Sequence, residues 1–492
     1  MIRLRTLVFA AIALSYPLSA HAQNDSVILA QTLEPPSLDP TVGAAQAIRE
    51  VTYANIYEGL LRIDRDGKLQ PLLAESWTIA PDGLAYTFQL RRGVTFHDGT
   101  AFDSSDVKFT FERAMGPDST NAQKWIFAPI ARIDTPDPYS VTITLKQPAG
   151  NFLYGLAWGD AVIFAPESAA TNRTDPVGTG PYRFERWVRG DRVELVRNGS
   201  YWGTAPALRH ATFRFIPDPQ AQVAAIRSGD IDAVTNLAAP EAADQLKADK
   251  RLTVVVGNTE GETILAINNG KPPFNDVRVR RALAYAIDRE QVILGAVSGH
   301  GVPIGSHFSP NHPAYIDLTG TYPYDPARAK ALLTEAGYAN GFNATMRLPP
   351  PAYARRAGEI IAAQLAQVGV RVTIEQLQFA QWLDQVFRNK SYDLTVIAHT
   401  EPLDINIYAR DDYYFQYRNA DFKALMARID ATMDEAERNR LYGEAQRMLA
   451  RDAVNVFLFQ LPKIGVWKAD LVGMWKDWPI PANPVAELSW RK

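Results

Sequence analysis

The stretch AGEIIAAQLAQVGVRVTIE (residues 357–375) decides the fold class. It reads as a helix, a glycine stop at Gly369, and then a strand in which Val370, Val372 and Ile374 alternate on one face. Working outward, YDPARAKALLTEAGY (residues 324–338) repeats the helical half, with Asp325 as N-cap, Pro326 in the first turn and Gly337 as terminator. DPQAQVAAIRSGDIDAV (residues 218–234) starts a helix at Asp218-Pro219, stops it at Gly229 and enters a short strand through Ile231 and Val234. Repeated helix-then-strand units predict an α/β protein whose sheets are covered by helices. Near the start, SWTIAPDGLAYTFQL (residues 76–90) reads as a hairpin turning at Pro81-Asp82-Gly83. Asp103 then caps a helix carrying Val107, Phe111 and Ala114 on one side.

Composition narrows the function. The chain opens on MIRLR, runs through TLVFAAIALSYPLSA and reaches Ala20-His21-Ala22, the parts of a cleavable secretory signal over residues 1–22. That leader removes two of the 51 basic side chains and none of the 54 acidic ones, so the mature chain is slightly acidic. An acidic balance lacks the basic footprint of nucleic-acid binding. The chain has no cysteine, which excludes disulfides, thiolate catalysis, Cys-ligated zinc and a lipidated N-terminal cysteine. A free periplasmic protein is the expected product. At this length more than one core is expected, since single cores seldom grow past ~250–300 residues.

Chemistry-bearing motifs are scarce. The sequence contains no G-x-S-x-G, no H-E-x-x-H and no G-x-x-x-x-G-K-[ST]. PVGTGPYRFERWVRGD (residues 176–191) has two glycines around a threonine, as a phosphate loop might. A phosphate loop opens onto a helix N-terminus, whereas this one opens onto a strand pattern through Tyr182 and Phe184, so it reads as a turn. His307 and His312 sit close together in a Pro/Gly/Asn-rich loop, a weak metal signal. We expect no metal, no cofactor and no catalytic set.

Five blocks then point to one family: residues 73–113, PVGTGPYRFERW (residues 176–187), AAIRSGDIDAV (residues 224–234), KPPFNDVRVRRALAYAIDRE (residues 271–290) and residues 324–338. The chain resembles the extracytoplasmic solute-binding proteins of ABC importers, family 5, which take up dipeptides, oligopeptides and nickel chelates. The resemblance implies a two-lobed periplasmic-binding-protein fold of the larger type. Lobe 1 would span residues 23–260 with an inserted subdomain over about residues 45–175. Lobe 2 would span 261–462, and residues 463–492 would return to lobe 1. A ligand enclosed between closing lobes, a membrane permease as partner and a monomeric state are implied with it.

In peptide binders of this family an acidic residue after a lobe-2 strand holds the ligand's amino group. The matching loop, YDLTVIAHTEPLDINIYARDDYYFQY (residues 392–417), offers Asp404 first and Glu401 second, with Tyr408 beside them. His399 stands where relatives carry an aromatic, often Trp, which leaves a non-peptide solute such as an opine, modified sugar or metal chelate as the alternative. The resemblance also implies an arginine for the ligand carboxylate. The Pro-rich entry to the helix at residues 346–359 supplies Arg347, Arg355 and Arg356 as competitors, with Tyr353 among them. From the first lobe it implies Trp125, Trp158 and Asp160. A two-lobed secreted enzyme and a chaperone-like or chemoreceptor-linked protein are the readings from other classes. They differ in turning over a ligand or in binding unfolded chains without closure.

Overall fold

The computed structural model describes residues 25–400 and 403–491, so the signal-peptide expectation at residues 1–22 and the candidate Glu401 lie outside the described residues. Helices start where a side-chain oxygen takes up a free N–H. Asp103 caps Ser104–Met115 and is reciprocated by Asp106, Asp218 caps Pro219–Ser228, and Asp325 caps Pro326–Glu335. Such caps contribute about 0.5–2 kcal/mol each. The helix Ala352–Gln367 ends before Gly369, whose φ of +92° suits a residue without a Cβ. The strand Val370–Gln376 follows and runs parallel to Phe342–Leu348.

Two long antiparallel strands, Leu252–Ile267 and Val456–Lys468, organise everything else. At one end Val466 and Trp467 pair with the strand Ala233–Val234, which continues through Ser26–Gln31 and His210–Phe215 to Arg192–Arg197 and Tyr182–Val188. At the other end Glu262–Ile267 pairs with Leu394–His399, which leads to Phe342–Leu348 and Val370–Gln376. Between the two ends the register jumps from Asn258 opposite Pro462 to Glu262 opposite Gln460. Thr259, Glu260 and Gly261 stand opposite Leu461 alone in that bulge, which bends the ladder where the chain passes from one half to the other.

Each half has its own core. Leu265 and Ile267 face one hydrophobic cluster of the second half while Ile264 and Ala266 face another, the period-2 alternation of a strand buried on both faces. The first half buries a larger cluster and carries a separate four-stranded antiparallel sheet, in which Ala74–Ile79 pairs with Ala85–Leu90 as the hairpin reading required. The C-terminal tail returns to this half, with the Trp490 indole N–H donating to the Ser26 carbonyl at 2.9 Å. The Gly178-Thr179-Gly180 turn is a packing joint. A Cβ on Gly178 would stand 2.1 Å from the Ile56 carbonyl oxygen, and Thr179 donates to the buried Glu58. Among the described residues no helix is long and apolar enough to cross a membrane.

Candidate functional site

The two halves touch across a cleft. The Asn151 side-chain amide donates to Tyr442 Oη at 2.6 Å, the Gly150 N–H to the Asp430 carbonyl at 2.8 Å, and Thr400 Oγ1 to Gln46 Oε1 at 3.2 Å. Arg356 on the helix Ala352–Gln367 forms an ion pair with Glu241 of the first half at 3.1 Å. These contacts come from both sides of the bulged strands and bridge the two halves.

The first-half wall includes the short helix Gln46–Thr52. Ala47, Ile48, Arg49, Val51 and Thr52 are buried in the core, leaving Gln46 and Glu50 as the stripe one turn apart on its cleft side. The Gln46 amide donates to Glu50 Oε1 at 2.7 Å while its oxygen meets Thr400 from the opposite half. Burial pushes the Glu50 carboxyl up to about 7, against the lowering effect of Gln46. On the bulge, Glu260 accepts hydrogen bonds from Ser309 Oγ at 2.9 Å and the Asn311 amide at 2.5 Å. Burial raises it to about 7 as well, and its charge is felt by Tyr154 of the first half. Neither carboxyl forms an ion pair with a lysine or arginine among the described residues.

The loop expected to hold an amino group is arranged differently. Asp404 is buried under it, with Oδ1 at 2.6 Å from His307 Nε2 and Oδ2 at 3.4 Å from His399 Nδ1. Burial acts to raise this carboxyl, but the two imidazoles outweigh it and hold Asp404 well below the usual carboxylate range. Tyr408 Oη lies 3.2 Å from His307 Nδ1 and accepts an N–H from Asn455 at 3.2 Å. His399 Nε2 sits 3.0 Å from Tyr414 Oη, and its ring stacks on Tyr414. Asp404, His399 and Tyr408 are thus brought together, but as one internally satisfied network. His312 parts company with His307: it stacks on Phe308 with centroids 4.0 Å apart, and burial lowers it to about 3.

The other candidates divide. Arg347 is a correction, because its guanidinium is spent on Glu375 at 2.8 Å and on Ser391, both along the sheet. Asp160 is a second correction: it is fully buried, and both oxygens are taken by Arg49, with Nε at 2.7 Å from Oδ2. Trp158 belongs to the first-half core at 2% exposure, its indole N–H buried without a hydrogen-bond partner. Trp125 is half-buried, packs against the same core and donates to Gln123 at 2.7 Å. Tyr353 accepts the Ala398 N–H at 3.0 Å, which fixes the helix start against the cleft strand. Arg355 follows two residues later, and its Nε is buried without a hydrogen-bond partner. Sequence reasoning missed Glu50, Glu260, Glu262 and His307 as members of the site. The sequence signal for two of them was an acidic pair, EGE at residues 260–262, set inside an otherwise apolar strand pattern.

A family model for the bacterial extracellular solute-binding proteins, family 5, matches residues 68–418. The chain belongs to this family. The family-5 protein is 32% identical over 446 residues to the glutathione-binding protein GsiB of Pectobacterium atrosepticum, covering 86% of each chain. It is 30% identical over 461 residues to that of Salmonella paratyphi A, covering 89% of this chain and 90% of the relative. Its fold matches Helicobacter pylori DppA in complex with the peptide STSA, with a TM-score of 0.87, 25% identity and coverage of 96% and 99%. It also matches AgaA of A. tumefaciens R10 in complex with agropinic acid, with a TM-score of 0.85, 26% identity and coverage of 95% and 99%. The protein is a substrate-binding component of the ABC-importer type, and members of its family are binding proteins rather than enzymes.

Proposed function

We propose that this family-5 protein captures a small peptide or peptide-like solute carrying a cationic group, encloses it between its two halves, and delivers it to a membrane permease without altering it. One observation carries the reading. Glu50, half-buried on the first-half wall, and Glu260, buried on the bulge, are carboxyls raised to about 7 with no basic partner among the described residues. A ligand ammonium would supply the missing counter-charge, since burying an anion is costly unless it is paired. Arg355, with its buried and unpaired Nε, is the matching donor for a ligand carboxylate. Asp404 and His399 shape the second wall, with Glu401 and Trp125 as further ligand contacts. The peptide named with the Helicobacter structure and the glutathione of the curated relatives support this solute class.

The protein is proposed to work in the periplasm after loss of residues 1–22, as a monomer, with the lobe borders near residues 260 and 462. A non-peptide zwitterion is the second reading, favoured by the likeness to the agropinic acid complex. Native mass spectrometry of the purified mature protein, followed by analysis of the small molecules released on unfolding, tests both. Masses of short peptides support the first reading, and a single non-peptide mass replaces it with the second. Recovery of a chemically converted product would overturn the binding-only role.

A further inference from the structure

Beneath the cleft wall, three separate segments converge. Glu262 on the long strand Leu252–Ile267, His307 in the loop after Val302–Pro303, and Asp404 each offer a ligand atom, and these atoms lie within 4.8 Å of one another. Two are fully buried and the third half-buried: His307 has no exposed surface, Glu262 is 3% exposed and the Asp404 side chain 12%. They sit beside Phe308, Ile405, Ile407 and Tyr408 of the second-half core.

Two further features match a metal centre. First, the ring nitrogen of His307 that faces away from the carboxylates meets Tyr408 Oη, which is itself anchored by Asn455. An outer partner of this kind fixes the tautomer and orientation of metal-binding histidines. Second, His399, which pairs with Glu262 across the sheet, brings Nδ1 to 3.4 Å from the second oxygen of Asp404, so this carboxylate also has an outer partner. Carboxylate and imidazole together are the donor set that suits a borderline divalent cation.

We propose that Glu262, His307 and Asp404 form a resident three-residue site for a divalent transition metal of zinc-like preference, the fourth position being left to water. On binding, the ion replaces the direct contact between His307 Nε2 and Asp404. The ion then ties the 404–409 turn to the hinge strand and to the 303–315 loop, acting as a strut for the cleft wall and not as cargo.

The test uses the mature full-length protein, stripped with chelator and titrated with Zn2+ by calorimetry, then with Co2+ followed by visible absorption. We expect one Zn2+ per chain, a rise in the thermal unfolding temperature, and a Co2+ spectrum of a four-coordinate nitrogen and oxygen site. In Glu262→Gln and His307→Gln, affinity should fall by ~100-fold or more, beyond the ~10–100-fold typical of outer-shell partners. Far-UV circular dichroism checks that each variant folds. If His307→Gln does not fold, Glu262→Gln, which keeps the side-chain shape, decides. If neither folds, the wild-type Co2+ spectrum and the Zn2+ stoichiometry decide. The proposal is overturned if the wild type takes up no stoichiometric metal, if Glu262→Gln binds as tightly as the wild type, or if the Co2+ bands are those of an octahedral surface ion.

Discussion

Asp404 and Glu260 are both buried carboxyl groups at the rim of the second half, yet burial has opposite outcomes in the two places. Asp404 has two imidazoles against its oxygens and is held far below the usual carboxylate range. Glu260 has only a hydroxyl and an amide, and burial pushes it up to about 7. On the proposed function, the difference separates scaffold from ligand contacts. A buried charge that already has its counter-charge holds the wall in place, while one that lacks it is poised for a charge from outside.

The sharpest way to break this comparison is to remove Asp404. Asp404→Ala leaves His307 and His399 without their partner, and a buried pair broken on one side costs about 3–5 kcal/mol. Chemical denaturation of the ligand-free protein should show that loss, whereas an unchanged midpoint would return Asp404 to the role of a ligand contact. The stability from this pair is present at neutral pH, because the folded carboxyl is depressed, and it is lost as pH falls below about 4 toward the folded value.

Glu260→Gln should reverse the pattern. Stability stays at or above wild type, since the neutral amide replaces a group already close to neutral. Affinity for a cationic ligand drops by about 2–5 kcal/mol. A calorimetric affinity equal to wild type would remove Glu260 from the site. A milder perturbation is pH itself. Glu50 and Glu260 must ionise to pair an ammonium, so below about 7 the affinity should fall by up to about tenfold per pH unit for each group. In the empty protein the sign is opposite to that of Asp404: the cost of burying these groups is absent below their unfolded value of 4.5 and grows as pH rises toward 7. An affinity flat between pH 5 and 8 would sink the assignment.

The smallest effect is expected at the exposed latch between halves. Arg356→Ala breaks the pair with Glu241, both side chains being more than a third exposed, and should change closure by about 1 kcal/mol or less. Salt should mask it, which calorimetry at low and high ionic strength would show.

Much of the fold was legible because its signals are local. Asp325 and Asp218 announced helix starts, Gly369 and Gly229 marked ends, and Val370, Val372 and Ile374 alternated as a strand must. The site was less legible. Asp160 looked like a ligand group beside Trp158, but its role was fixed by Arg49, 111 residues away. Arg347 looked like a free fork until the parallel neighbour strand placed Glu375 beside it. The spacing of His307 and His312 read as a weak metal signal, and the fold sets His307 beside Asp404, 97 residues on.

The amino-acid sequence by itself therefore determined the α/β class, the family and the absence of cysteine chemistry, because periodicity, caps and block motifs are properties of neighbouring residues. Tertiary structure decided which carboxyls are spent and which are poised. That depends on burial and on partners brought from distant segments, and the free energy of a buried charge is set by what surrounds it rather than by what precedes it in the chain.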